Sequence, residues 1–468
     1  MSLSTLSRQL RDRAASIYGA FLDPTSRTGR GGRSIGWITL GRISINVARL
    51  GSNLLTTLIL LPEAFALMSL VYVIHGGLGM ITDAGLEASV VRSQRGEDPA
   101  FLRTAFVVNF LRNLALSVIM LLVAAAFWVL QVQVDLGTTV YAHPELPLIM
   151  ALSAIPIVIN GLVSPVMFLA SRRVEMRQVT LIGIFSSIVS LAGMVAMVWL
   201  TEDNLALLMA PLLASGITSF MSHRLAGPRM AFEVDRPSLQ EIWGFGRWIM
   251  GASFMRFVSM QGDRLLTSGL LDIQSFALFT IARMWIDATS LMVEIATKTT
   301  RGLVAEAFRE SVEAHLRVTK LLRKGLLVLS FAAFAGAFFI LPTMIETLYR
   351  SQYHAVAPIV AALAGSVLWR LDIVVDANAI ARGNSRFLAM VQGVASATLL
   401  IALPTLHHFF GLAGVVLAVV LTGFVGHAIN SIWFARSLGQ SIWVAAAGLA
   451  LRGVIGFGAA ALGAAAFQ

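Results

Sequence analysis

The sequence predicts an all-α fold, a polytopic membrane protein made of spanning helices, and three observations carry that prediction. Hydrophobic residues form 57% of the 468-residue chain and charged residues 13%, with a mean hydropathy of +0.79; soluble domains carry about 25% charged residues. Apolar runs long enough to cross a bilayer as helices, about 20 residues each, follow one another with short breaks from residue 35 onward. Arg and Lys collect on alternate connections. Reading every second loop as cytoplasmic places 26 of the 35 there, leaves only Arg350 in the opposite loops, and puts eight within spans. Cytoplasmic loops of membrane proteins show this excess. It also accounts for the net charge of +10, and with no nucleic-acid-binding signature in the chain, nucleic acid is not an expected partner. The absence of cysteine excludes disulfides, thiol catalysis and Cys-based metal sites.

Residues 1–34 are polar and rich in arginine (Arg8, Arg11, Arg13, Arg27, Arg30, Arg33). They lack the apolar core and cleavage site of a signal peptide and read as a cytoplasmic basic tail. Thirteen spans follow, at 35–61, 64–91, 102–130, 147–170, 178–200, 204–223, 245–271, 274–299, 322–348, 355–381, 386–407, 411–435 and 441–466. Prolines inside them (Pro156, Pro165, Pro211, Pro342, Pro358, Pro404) are tolerated in membrane helices and kink them. The last span is rich in Ala and Gly, contains Arg452, and reads either as one helix or as a re-entrant pair. The loops opposite the basic ones are short, the longest at 131–146, so no soluble catalytic domain fits there and an enzyme is not expected.

One stretch recurs. LLPEAFALMSLV (Leu60–Val71) and LLDIQSFALFTIA (Leu270–Ala282) share a Leu-Leu exit, an acidic turn and a Phe-Ala-Leu start, with Phe65 and Phe276 separated by 211 residues and six spans. An even number of helices per repeat gives two lobes of the same orientation about a pseudo-twofold axis along the membrane normal. The expected division is a tail at 1–34, a six-helix lobe at 35–223, a cytoplasmic linker at 224–244, a second six-helix lobe at 245–435 and an extra C-terminal helix at 436–468.

Charges inside the spans are the candidate functional residues, since a charge at the bilayer centre costs at least about 2.5–3.5 kcal/mol and faces protein or a watery cavity. The span at 245–271 holds Arg256, Asp263 and Arg264. Arg49 falls mid-span in the first helix. Arg283 and Asp287, four apart, share a face of the eighth, and Arg370 and Asp372 lie centrally in the tenth. Arg49, Arg256, Arg283 and Arg370 together would make a cationic lumen suited to phosphate, which the planar guanidinium binds bidentately. The opposing reading is that Arg283–Asp287 and Arg370–Asp372 are structural pairs. Asp263, Arg264, Asp287 and Asp372 are candidates for proton coupling or lumen ion pairs. Asp83 and Glu87, nearer the surface, read as structural or gating. His75 is a lone histidine beside glycines, and the pair His407–His408 has no carboxylate at ligand spacing, so neither a metal nor a cofactor is expected.

Four stretches in order resemble the polysaccharide-exporter branch, the Wzx-type oligosaccharide flippases, of the superfamily that also holds multidrug extruders and peptidoglycan-lipid flippases. They are LLPEAFALMSLV; DAGL at Asp83–Leu86 with VVR at Val90–Arg92; SPVMFLASRRVEM at Ser164–Met176; and the series Arg236-Pro237, FGRW at Phe245–Trp248, GDRLLTSGLL at Gly262–Leu271 and FALFTIAR at Phe276–Arg283. Ala66 stands where that family usually has Gly, and the C-terminal third matches only in hydropathy. The resemblance implies two six-helix lobes around a central cavity, alternating access, and flipping of a polyprenyl-diphosphate-linked oligosaccharide across the bacterial inner membrane. The implied partners are that lipid-linked sugar, the bilayer, and polymerase and export proteins of a polysaccharide pathway. An ion-coupled drug or metabolite antiporter of the same fold is the alternative, but a cationic drug would prefer an acidic, aromatic cavity. A membrane glycosyltransferase or polymerase fits less well, because such enzymes need acids or a large ordered loop at the membrane surface.

Overall fold

The computed structural model describes residues 27–82, 85–173, 175–370, 373–382, 384–437 and 442–465. Helix α1 (Arg27–Thr57) ends in a tight turn, and Pro62 opens α2 (Pro62–Ile81) at a position where a missing amide hydrogen costs nothing. A short α3 (Leu86–Arg92) precedes the long α4 (Pro99–Gln133), whose N-cap Asp98 accepts from the Ala100 amide at 3.1 Å. The fourth expected span is three short helices, α5 (Leu146–Leu152), α6 (Ala154–Gly161) and α7 (Val166–Arg173), bent by 63° at the break before Val166, where Pro165 stands. Next come α8 (Arg177–Thr201) and, after a 3-10 turn at Asn204–Leu208, α9 (Met209–Ser222).

The second half opens with α10 (Arg236–Leu270), followed by α11 (Ile273–Ala288), α12 (Ser290–Glu310) and α13 (Val312–Ala335). α10 starts nine residues before the expected span, because Asp235 caps it and Pro237 suits its first turn. α13 passes through a π-turn at Gly336–Ile340 into α14 (Leu341–Leu348). The tenth span is built from α15 (Val356–Ala364), α16 (Val367–Arg370) and α17 (Ile373–Ala381), and α18 (Ser385–Ser437) and α19 (Ile442–Ala465) complete the chain. α18 is two rods. Gly411, at φ +55°, breaks it, and Gly414 comes back against the Leu406 carbonyl, where a side chain would clash. The 441–466 segment, open between one helix and a re-entrant pair, is the single helix α19 over its described residues.

Among the described residues eight helical segments are long and apolar enough to cross a membrane, or nine if the bent 146–173 segment is one span. Three expected spans, 35–61, 245–271 and 274–299, are helical but fall outside that set. They hold Arg49, Arg256, Asp263, Arg264, Arg283 and Asp287, and such helices need protein around their polar faces.

The two copies of the repeat meet. α2 packs on α11, and Ala66, Leu67 and Leu70 of the first and Phe276, Ala277 and Phe279 of the second are wholly buried in one core. α19 lies backbone to backbone on the tenth span, with Gly456 against Gly365, the close approach that small residues permit in membranes. Large apolar side chains such as Leu122, Leu200, Phe409 and Trp443 point outward, as a lipid solvent allows.

Candidate functional site

A cavity of about 590 Å³ lies among α1, α2, α8, α9, α10 and α11. Each wall is one face of a helix. On α1 the lining residues are Arg49, Ser52, Asn53 and Thr56; on α2 they are Phe65, Met68, Ser69, Tyr72 and Val73; on α8 they are Ser187, Ser190, Leu191 and Met194. These spacings of three and four residues put the lining residues on one face of each helix, polar on α1 and mixed on α2 and α8. Gln261 and Arg264 come from α10, and Thr280, Ile281 and Met284 from α11.

Several of the hydroxyls turn back to their own helix. Ser52 Oγ donates to the Arg49 carbonyl at 3.0 Å, and Thr56 Oγ1 to the Asn53 carbonyl at 2.9 Å. The Arg49 guanidinium makes no ion pair among the described residues, and Tyr72, 48% exposed, brings its ring to the cavity beside it. An unpaired cation inside a bundle of membrane-type helices is costly unless water or an anion solvates it.

From the cavity wall inward, Arg264, Asp287, Arg283 and Asp263 form a charge cluster. Arg264 Nη2 donates to Asp287 at 2.6 Å and Nη1 reaches Gln261 at 3.3 Å. Arg283 Nη2 is 3.0 Å from Asp263 Oδ2, and its Nε is 3.9 Å from Asp287. The Arg283–Asp263 contact is close but poorly aligned for a hydrogen bond, so it acts as a charge pair. Arg283 therefore stands in an ion-paired network rather than as a loose cation, and its nearer described partner is Asp263 on another helix, not Asp287 one turn away. Arg256 lies on α10 and Arg370 ends α16, but their side chains lie outside the described residues, as does Asp372. Asp83 is outside them too. Glu87 accepts from Ser171 at 2.6 Å, and Arg112 caps the end of α2 by donating to Thr82 and the Gly79 carbonyl. Among the described residues no group of three or more His, Asp or Glu is placed to hold a metal ion.

At the end of the bundle opposite the basic loops, polar contacts join the two halves of the chain. Trp285 Nε1 donates to the Tyr349 hydroxyl at 3.1 Å, which in turn donates to Asn53 Oδ1 at 2.9 Å. The Tyr353 hydroxyl donates to the Leu60 carbonyl at 2.6 Å. Tyr141 and Ser268 hydroxyls lie 2.7 Å apart, and the Ile273 amide donates to the Thr138 carbonyl beside an antiparallel Thr139–Asp272 bridge. At the basic end Arg95 holds both Asp98 and Asp235 at 3.0 Å, Arg103 holds Glu233 at 2.6 Å, and Arg173 holds Glu97 at 2.6 Å. These fix the linker and the first turn of α10 to the loops of the first half. Hydrogen bonds first from Ser238 and then from Arg95 lower the Asp235 pKa from the ordinary carboxylate value. The Ala100 amide does so for Asp98, ahead of Arg95, and Arg173 for Glu97.

Sequence reasoning missed the α1 stripe beyond Arg49, although the polar positions 49, 52, 53 and 56 are spaced as one helical face. It also missed Tyr349 and Tyr353, which are loop residues until the chain folds. A third missed group lies in the C-terminal third, where Arg452, 8% exposed, reaches His427 Nε2 at 3.1 Å and Trp369 stacks on that imidazole.

The model of a family described as polysaccharide biosynthesis protein matches residues 56–358. No curated protein matches the chain. Among solved structures, it is similar to a multidrug resistance MATE family transporter of the MOP superfamily in an inward-facing conformation, with a TM-score of 0.63 at 14% identity over 86% of this chain and 98% of that one. It is similar also to the lipid II flippase MurJ in an inward closed conformation, with a TM-score of 0.62 at 12% identity over 91% and 98%. An outward-facing MATE family transporter gives a TM-score of 0.52 at 14% identity over 88% and 96%. At these identities the likeness establishes a shared fold.

Proposed function

The chain belongs to the polysaccharide biosynthesis protein family, and from that premise we propose that this multi-pass membrane protein is a flippase for a polyprenyl-diphosphate-linked oligosaccharide. It moves the lipid-linked sugar from the cytoplasmic to the outer leaflet of the bacterial inner membrane by alternating access, with the N-terminus cytoplasmic. Two lobes, 35–223 and 245–435, rock about the linker at 224–244, and 436–468 adds one helix. The observation that carries this reading is Arg49, a cation without a carboxylate partner among the described residues, in a cavity whose α1 wall is a polar stripe and whose other walls mix polar and apolar residues. The diphosphate sits on Arg49, with Arg264 one wall away and Arg256 and Arg370 as further candidate ligands. Sugar hydroxyls meet Asn53, Tyr72 and Gln261, and the prenyl tail stays in lipid.

Arg283 then serves by holding Asp263 and Asp287 in place, and with Asp372 these acids are the candidates for carrying a proton if transport draws on the proton gradient. The similarity to the lipid II flippase supports a lipid-linked cargo by analogy of fold. In cells lacking this gene, complete polyprenyl-diphosphate oligosaccharides accumulate facing the cytoplasm and the surface polymer is lost. Normal polymer with no accumulated intermediate removes the flippase reading and promotes a drug or metabolite antiporter.

A further inference from the structure

We infer that Asn53 is a positioning residue that couples what occupies the cavity to the closure of the bundle at the end opposite the basic loops. Asn53 belongs to two structures at once. It lines the cavity one helical turn from Arg49, and its Oδ1 accepts the Tyr349 hydroxyl at 2.9 Å across 296 residues of chain. Its Nδ2 makes no hydrogen bond among the described residues, so it is available to cargo. Tyr349 is 5% exposed, packs edge-on against Trp285 and Tyr353, and receives the Trp285 indole N–H. Trp285 follows Met284, a cavity residue of α11. Three helical regions, the end of α1, the last turn of α11 and the end of α14, therefore meet at one phenol.

The coupling follows from hydrogen-bond competition. A side-chain carboxamide has one carbonyl oxygen, and a sugar hydroxyl that turns the amide or takes that oxygen removes the acceptor from Tyr349. The phenol is buried where water cannot replace the lost partner, and a buried polar group left unpaired favours whatever rearrangement solvates it. That rearrangement is separation of α14 from α1, after which the Tyr353–Leu60 contact is exposed to water. Cargo bound through Asn53 thus loosens the closed end, while an empty cavity leaves it latched. The cargo dependence rests on the function proposed above; the latch itself does not.

The chain has no cysteine, so a single introduced one reports cleanly. Ala214→Cys places it in the cavity wall on α9. In spheroplasts a membrane-impermeant maleimide added outside labels it slowly. Adding Tyr349→Phe, which keeps the ring packing and removes the bond to Asn53 along with that from Trp285, raises the labelling rate by at least about twofold to tenfold, the population change that follows from the net worth of the Asn53 bond alone. Asn53→Ala does the same. Parent-like rates in both variants, at equal amounts in the membrane, overturn the latch.

The second arm compares cells that make lipid-linked oligosaccharide with cells lacking the enzyme that loads the first sugar phosphate onto the lipid carrier. Labelling of the parent rises with cargo, whereas Asn53→Ala is fast in both backgrounds. A cargo response that survives in Asn53→Ala overturns the coupling role. So does a parent without any response in a strain where the gene deletion accumulates intermediates. If the deletion accumulates none, the function proposal fails while the Tyr349→Phe result still decides the latch.

Discussion

On the proposed function, single residues divide into those that meet cargo and those that hold the helices charged and folded, and Arg49 is of the first kind. Arg49→Ala removes a charge-assisted contact of about 1.5–3 kcal/mol, so transport weakens about 10- to 100-fold in apparent affinity at an unchanged membrane level, and Arg49→Lys recovers part of it. Flipped lipid-linked sugar in inverted vesicles measures both. Arg283 is of the second kind. Arg283→Ala strands Asp263, whose side chain is 8% exposed, and costs about 3–5 kcal/mol of stability. The loss appears in detergent melting and membrane abundance before any transport assay. Asp263→Asn together with Arg283→Gln loses less, because removing the whole Arg283–Asp263 pair leaves no lone charge buried, and equal losses in the two variants would show that the pair does not matter. The sequence made Arg49, Asp263, Arg264, Arg283 and Asp287 visible because a charge in an apolar run cannot hide. It did not reveal who pairs with whom. Arg283 and Asp287 are legible as neighbours on one helical face, but the closer partner, Asp263, comes from a helix whose placement only the tertiary fold sets.

At the scale of elements, the spans were readable wherever lipid sets the composition, and the least apolar ones proved the most informative. α1, α10 and α11 fall short of the length or apolarity of a span, and these three supply Arg49, Asn53, Gln261, Arg264 and Thr280 to the cavity. α10 also shows what hydropathy cannot see, since its first turns are set by a cap and by ion pairs beyond the apolar run. Asp235, Asp98 and Glu97 have lowered folded pKa values. Their contribution is present above the unfolded carboxylate value, about 4, and is lost as pH falls through the lower folded values. Proteolysis of purified protein within 226–234 should stay flat from about pH 8 to about pH 5 and rise below about pH 4. Arg95→Ala should raise it already at pH 7. A pH-independent cleavage rate would mean that these pairs do not hold the linker.

For the whole molecule, the similar stretches around Phe65–Leu67 and Phe276–Leu278 lie on two helices packed on each other, α2 and α11. The closure at the end opposite the basic loops was illegible, because Tyr349 and Tyr353 find Asn53 and Leu60 nearly 300 residues away, and nothing local marks that meeting. The Thr139–Asp272 bridge offers a direct control of it. Bridged antiparallel residues lie about 4.5–5.5 Å apart at Cα, within the span of a disulfide. Thr139→Cys with Asp272→Cys should stop transport on oxidation and regain it with reductant; unchanged transport in the fully oxidised protein would show that this end need not part. The Gly411 reversal bears on biogenesis. The two rods of α18 meet at Gly411 with Gly414 against the Leu406 carbonyl and no loop between them, so they should enter lipid as a coupled pair, and truncation midway through the second rod should leave the first poorly inserted.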